Sequence, residues 1–135
     1  MHSRLREFLL FAFAGTIGFA VDAGTVTALR HWAGADLVSA KAAGFSLAVT
    51  VTWGLNRQWA FAGGASTTRR LREWGRYVWT NGVGGLVNNG TYLVAVFSSD
   101  ALAQQPALAV ALGSLAGMVF NYLAARRWVF RADSR

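Results

Sequence analysis

Asp22 and Lys41 are the only charged side chains within four long apolar stretches of this chain. Phe8–Leu29 holds Asp22, Leu37–Leu55 holds Lys41, and Tyr77–Ser99 and Ala101–Ala125 hold no charge. A carboxylate and an ammonium in apolar surroundings have a short menu of chemistry. They pair with each other, the acid takes up a proton, or the ammonium exchanges its carboxylate for the phosphate of a ligand. An unpaired charge at the centre of a bilayer costs at least about 2.5 kcal/mol, so each needs a partner facing inward. Lys41 has one competing choice, to extend its stem along the helix and place its charge at the membrane surface. The corresponding polar groups later in the chain are neutral: Asn81, Asn88, Asn89 and Asn121. Their amides can bond a sugar or stabilise helix contacts, which in membranes are worth about 0.6 kcal/mol each.

Each stretch is roughly 20 residues long, the length an α-helix needs to cross a hydrocarbon core of about 30 Å. In a helix starting at Phe8, Asp22 lies about 21 Å along the axis, in the outer part of the core. Composition agrees. The chain has 135 residues, 54% of them hydrophobic and 14% charged. A soluble domain carries about 25% charged residues. A soluble four-helix bundle would have to bury helices that are apolar on every face, which so short a chain cannot do. Leu47–Trp53 alternates like a strand, but a β-barrel needs that alternation throughout. With no Cys and only two His, there is no disulfide framework, no thiolate nucleophile and no cysteine- or histidine-based metal site. Paired carboxylates and a nucleophile with a base are also missing, so no enzymatic activity and no cofactor are expected.

The net charge of +7 is explained by topology. Arg4, Arg6, Arg57, Arg69, Arg70, Arg72, Arg76, Arg126, Arg127, Arg131 and Arg135 fall at the N-terminus, in the middle segment or in the tail. The two other loops hold only Arg30 and, at a helix edge, Lys41. The positive-inside rule then places both termini and the middle segment in the cytoplasm, and no nucleic-acid partner is needed. Arg4 and Arg6 ahead of Ala12-Phe13-Ala14 resemble a cleavable leader. Cleavage there would leave an apolar run of only about six residues, so the first helix is expected to remain as a span.

The two halves of the chain resemble each other. Leu5-Arg6-Glu7-Phe8 recurs as Leu71-Arg72-Glu73-Trp74. At the same offset Gly18 matches Gly84, Gly24 matches Gly90, and Asp22 falls on Asn88. Arg57-Gln58-Trp59-Ala60-Phe61 recurs as Arg126-Arg127-Trp128-Val129-Phe130. The expected fold is therefore an all-α membrane protein of four transmembrane helices, arranged as two parallel-repeat helical hairpins. Residues 1–135 form one domain, with repeat one at 5–61, a linker at 62–70 and repeat two at 71–130. Gly15, Gly18, Gly24, Gly82, Gly84, Gly85, Gly113 and Gly117 are expected to let helices approach closely. Four spans are few for enclosing a polar headgroup, which favours a homodimer.

These repeated residues resemble the GtrA-like family of small four-span bacterial membrane proteins. Gly15-Thr16-Ile17-Gly18-Phe19-Ala20-Val21-Asp22 fits its Gly-x-x-Gly-Phe-x-x-Asp run. Ala40-Lys41 and Asn56-Arg57-Gln58-Trp59-Ala60-Phe61 fit its second helix, and Asn121 with Arg126-Arg127-Trp128-Val129-Phe130 fits its fourth. The sequence departs at Thr52, where many members have Asn. The resemblance implies a protein of the bacterial cytoplasmic membrane that works in cell-surface polysaccharide assembly. It would act as a flippase for a polyprenyl-phosphate-linked sugar or its carrier lipid. A second possibility is a non-catalytic subunit that recruits a polyprenyl-phosphate glycosyltransferase, and a third is a small-cation exporter built on Asp22. The substrate-binding set it implies is Asp22, Lys41, Asn56, Arg57, Asn88, Asn121, Arg126 and Arg127. Arg57 and Arg126 would hold the lipid phosphate through paired donors, or else anchor an aromatic belt.

Overall fold

The computed structural model describes residues 2–61 and 67–130. Every element among them is helical. Helix α1 spans His2–Trp32, α2 Leu37–Gln58, α3 Thr67–Ser98, α4 Asp100–Gln104 and α5 Pro106–Ala124. A π-helical turn, Ala125–Val129, continues α5. The chain divides into two compact units, residues 1–74 and 75–135, with the boundary inside α3. Residues 67–70, expected in the linker, instead open α3. Residues 62–66 of that linker, and Arg131 and Arg135 of the basic tail, lie outside the described residues.

α1 begins well before the apolar stretch at Phe8, because Arg and Glu are good helix formers and water solvates them on a helix as well as on a coil. It closes at Gly34, whose positive φ of 63° lets the Ala35 N–H donate back to the Leu29 carbonyl at 3.0 Å. Only glycine takes that backbone conformation at little cost. The chain then turns directly into α2. Asp36 caps α2, its carboxylate accepting from the Ser39 N–H at 3.0 Å. The hydrogen bonds from Ser39 hold the Asp36 carboxyl below its ordinary value. A depressed folded-state value means the cap stabilises at higher pH and is lost as pH falls through that value. Acidification is expected to fray the first turn of α2, seen as faster amide exchange at residues 38–40. Asp36→Asn, which still caps, should remove the pH dependence.

α1, α2 and Ala107–Val129 are each long and apolar enough to cross a membrane. α3 is 32 residues long, but Asn81, Asn88, Asn89, Thr80, Thr91 and its glycines dilute its apolar content. The expected fourth stretch, Ala101–Ala125, is not one helix. Pro106 has no N–H and forces the preceding Gln105 out of helical geometry (φ −125°, ψ 71°), which separates α4 from α5. Pro106 then takes the first position of α5, where a missing N–H costs nothing.

Large apolar side chains stand outside. Phe19, Trp32, Leu71, Leu86 and Phe97 are each exposed over at least about three-quarters of their surface. Water would not tolerate so much apolar surface, whereas lipid solvates it. The inside of each unit is built from small residues. α2 turns a file of Ala40, Gly44, Ala48, Thr52 and Asn56 inward, and α5 does the same with Ala109, Gly113 and Gly117.

Candidate functional site

In the first unit the Lys41 ammonium donates to Asp22 Oδ2 across the α1–α2 turn. The pairing expected from the sequence is therefore present. Lys41 nevertheless keeps a 60% exposed side chain, while Asp22 is 20% exposed. An ammonium has three N–H donors, and one is directed at Asp22. Gly44, one turn beyond Lys41, makes the space. A Cβ there would lie 2.5 Å from Asp22 Oδ1 and 2.9 Å from Val26 Cγ2. Oδ1 is buried and receives no N–H or O–H donor among the described residues.

In the second unit the corresponding groups are uncharged and packed. Asn88 lies against Gly113, where a Cβ would sit 2.5 Å from the Asn88 carbonyl oxygen and 2.7 Å from its Oδ1. Gly117 is also closely fitted, a Cβ there lying 2.9 Å from Asn88 Cβ and 3.0 Å from the Gly84 carbonyl oxygen. The Asn121 amide presses onto Gly84, and its Oδ1 is buried without a donor among the described residues. Asn81 and Asn89 donate to carbonyls of their own helix, those of Tyr77 and Gly85, both at 2.9 Å. Asn81 and Asn89 thus serve the geometry of their own helix. Among the described residues Gly15, Gly24, Gly82 and Gly85 have open space where a Cβ would be, and Gly18, Gly84, Gly113 and Gly117 of the expected glycines stand at close approaches. Gly44, not anticipated, joins them.

The other end of α2 holds a second charged group. Arg57 donates to Glu73 Oε1 at 2.9 Å, and the Trp53 indole N–H donates to the same oxygen at 3.0 Å. The guanidinium lies over the Trp53 ring, 5.9 Å from its centroid. Glu73 is 4% exposed and Arg57 14%. Asn56 beside it is almost fully buried. Its carbonyl accepts from both Ala60 and Phe61, the latter at 2.8 Å, so α2 ends in a widened turn. The π-helical turn closes alike, with the Phe130 N–H on the Ala125 carbonyl at 3.0 Å. Arg126 there donates to the Tyr122 hydroxyl at 3.3 Å, and Arg127 is exposed. Lys41 and Arg57 are separated by about 24 Å along α2. They do not form one site, and a single phosphate cannot touch both.

A family model, GtrA/DPMS transmembrane domain, matches residues 10–130. The chain belongs to this family. No curated protein and no solved structure matches it. Within this GtrA/DPMS protein the Thr52 departure has a clear structural result. Its hydroxyl donates to the carbonyls of Ala48 (2.9 Å) and Val49 (3.1 Å), and its methyl packs on Gly18. Thr52 therefore seals the helix contact and offers no donor outward. Glu73, which the structure places against Arg57 and Trp53, carries no role in the reading of the sequence. The available signal was its isolation: it is the sole acid between Arg69 and Arg76, in a segment otherwise read as a basic surface.

Proposed function

We propose that this GtrA/DPMS protein is a flippase for a polyprenyl-phosphate-linked sugar, or for its polyprenyl-phosphate carrier, in cell-surface polysaccharide synthesis. It is a transporter and not an enzyme. It resides in the bacterial cytoplasmic membrane, has four spans including α3, keeps both termini in the cytoplasm, and works as a homodimer. The observation that carries this reading is the Lys41 ammonium: held by Asp22 inside an apolar hairpin, yet accessible from outside. A lipid phosphate arriving there competes with one carboxylate oxygen for an ammonium that has donors to spare. Asn56 and Arg57 in the first unit, and Asn88, Asn121, Arg126 and Arg127 in the second, are the further substrate-binding groups of this reading.

The reading of the two units as copies of one hairpin has support in paired contacts. Phe11 meets Phe61 edge to face at 6.2 Å, and Tyr77 meets Phe130 edge to face at 6.1 Å. Gly18 faces Thr52 as Gly84 faces Asn121, and Asp22 faces Gly44 as Asn88 faces Gly113. All fall at the same sequence offsets, 66 on the first helix and 69 on the second.

The test is movement of a labelled polyprenyl phosphate across liposomes holding the purified chain. Asp22→Asn and Lys41→Met are each expected to slow it about tenfold or more, equivalent to about 1.4 kcal/mol of barrier. Exchanging the charges, with Lys at 22 and Asp at 41, should restore thermal stability but not transport. Movement only when a glycosyltransferase is added would replace this reading with that of a recruiting subunit. Proton-coupled uptake of a small cation, with no lipid movement, would replace it with an exporter using Asp22.

A further inference from the structure

Glu73 is a buried carboxylate that the transport reading does not use. Two donors from α2, the Arg57 guanidinium and the Trp53 indole N–H, converge on its Oε1 at 2.9 and 3.0 Å. Convergent cationic and neutral donors on one oxygen are what an oxyanion receives in a binding site. Both donors stand on one helix, one turn apart, so the seat persists whatever occupies it. Burying such a pair contributes little net stability, because apolar residues of similar volume usually do as well. The seat also lies at the right depth. The candidate span of α2 ends at Gln58, one residue beyond Arg57, where a lipid's phosphate meets the edge of the hydrocarbon.

We propose that Glu73 is a built-in occupant of an anion seat formed by Arg57 and Trp53, and that an entering phosphate monoester headgroup takes the seat by displacing it. This rests on the lipid-phosphate reading above and adds its regulation. The position Glu73 Oε1 holds, accepting from both the Arg57 Nη1 group and the Trp53 indole N–H, is the one the phosphate takes, so it enters as Glu73 leaves. Glu73 lies on α3, so its release removes the charged tie between the first turns of that helix and the end of α2 and leaves the Trp74 indole N–H on the Thr50 hydroxyl at 3.1 Å as a remaining hydrogen bond. Lipid arrival at one helix is thereby converted into movement of another.

The test measures binding of farnesyl phosphate, with farnesol as the neutral-headgroup control, to the full-length protein in detergent. Glu73→Gln keeps the shape and the acceptor oxygen and removes the competing charge. A latch closed about nine-tenths of the time weakens apparent affinity about tenfold. E73Q is therefore expected to bind farnesyl phosphate about tenfold more tightly, with farnesol unchanged. In the wild-type protein, saturating farnesyl phosphate should shift the Trp53 indole N–H resonance, assigned by loss in Trp53→Phe, and farnesol should not. If E73Q does not fold, the wild-type resonance decides alone. Equal phosphate affinity with an unmoved Trp53 resonance overturns the latch and leaves the transport reading standing. Phosphate binding by neither form overturns both.

Discussion

Arg57→Ala is expected to lower the unfolding free energy by about 3–5 kcal/mol, the usual result of removing one partner of a buried ion pair. The cause is the survivor. Glu73, 4% exposed in the intact protein, would keep only the Trp53 N–H on Oε1, where it had a guanidinium as well. The loss would also remove the cation from the Trp53 ring face, a smaller effect of about 0.5–1 kcal/mol. The measurement is the thermal midpoint of the detergent-solubilised protein. The decisive control is Arg57→Leu with Glu73→Leu, which fills the same volume without leaving a charge stranded. That double variant should recover most of the lost stability. A double variant as unstable as the single would mean that Arg57 acts through contacts other than Glu73.

Gly113→Ala should destabilise the second unit. The new Cβ would sit 2.5 Å from the Asn88 carbonyl oxygen, a backbone atom that cannot rotate away. α3 and α5 would have to separate locally, losing the fit of Gly117 against Asn88 Cβ as well. Overpacking of this kind costs about 1–3 kcal/mol. By contrast Gly85→Ala meets nothing within 4 Å and should be neutral or slightly stabilising, because alanine is the better helix former. Thermal midpoints of the two variants, measured side by side, separate a packing role for Gly113 from a general intolerance of α3 and α5 to substitution.

What was legible in the sequence follows from which signals are local. Asp22 and Lys41 were legible because a charge in an apolar stretch has few places to go, and the structure pairs them. Membrane character was legible for the same reason, and α1, α2 and the α5 region have the length and composition of spans. The break at Gln105 was legible in principle, since Pro106 is the one proline in the chain. Counting uncharged residues from Ala101 to Ala125 passes over it, because hydropathy does not register a missing N–H. The true start of α1 was hidden by the same habit: charge marks where lipid ends, not where helix ends. Glycine positions were only half legible. Their spacing shows that a close approach exists, but which glycine faces the neighbouring helix depends on rotation about the axis. Hence Gly44 is the close approach that spacing does not reveal, whereas Gly15 and Gly24 face open space among the described residues. Glu73 was hidden because its partners lie 16 and 20 residues away, on a different helix, among arginines that looked like sufficient company.

The ring contacts at the end of α2 have a mechanical consequence. Phe11 and Phe13 of α1 stand level with Phe61 and Trp59. The nine residues of α1 before Phe11 therefore reach past the end of α2 by about 13 Å. This overhang carries Arg4 and Arg6, and it is continuous with the helix that bears Gly18 and Asp22. An unbroken rod has no joint at which to lose a push. A tilt of this one helix would therefore move the arginines and the Asp22 carboxylate together.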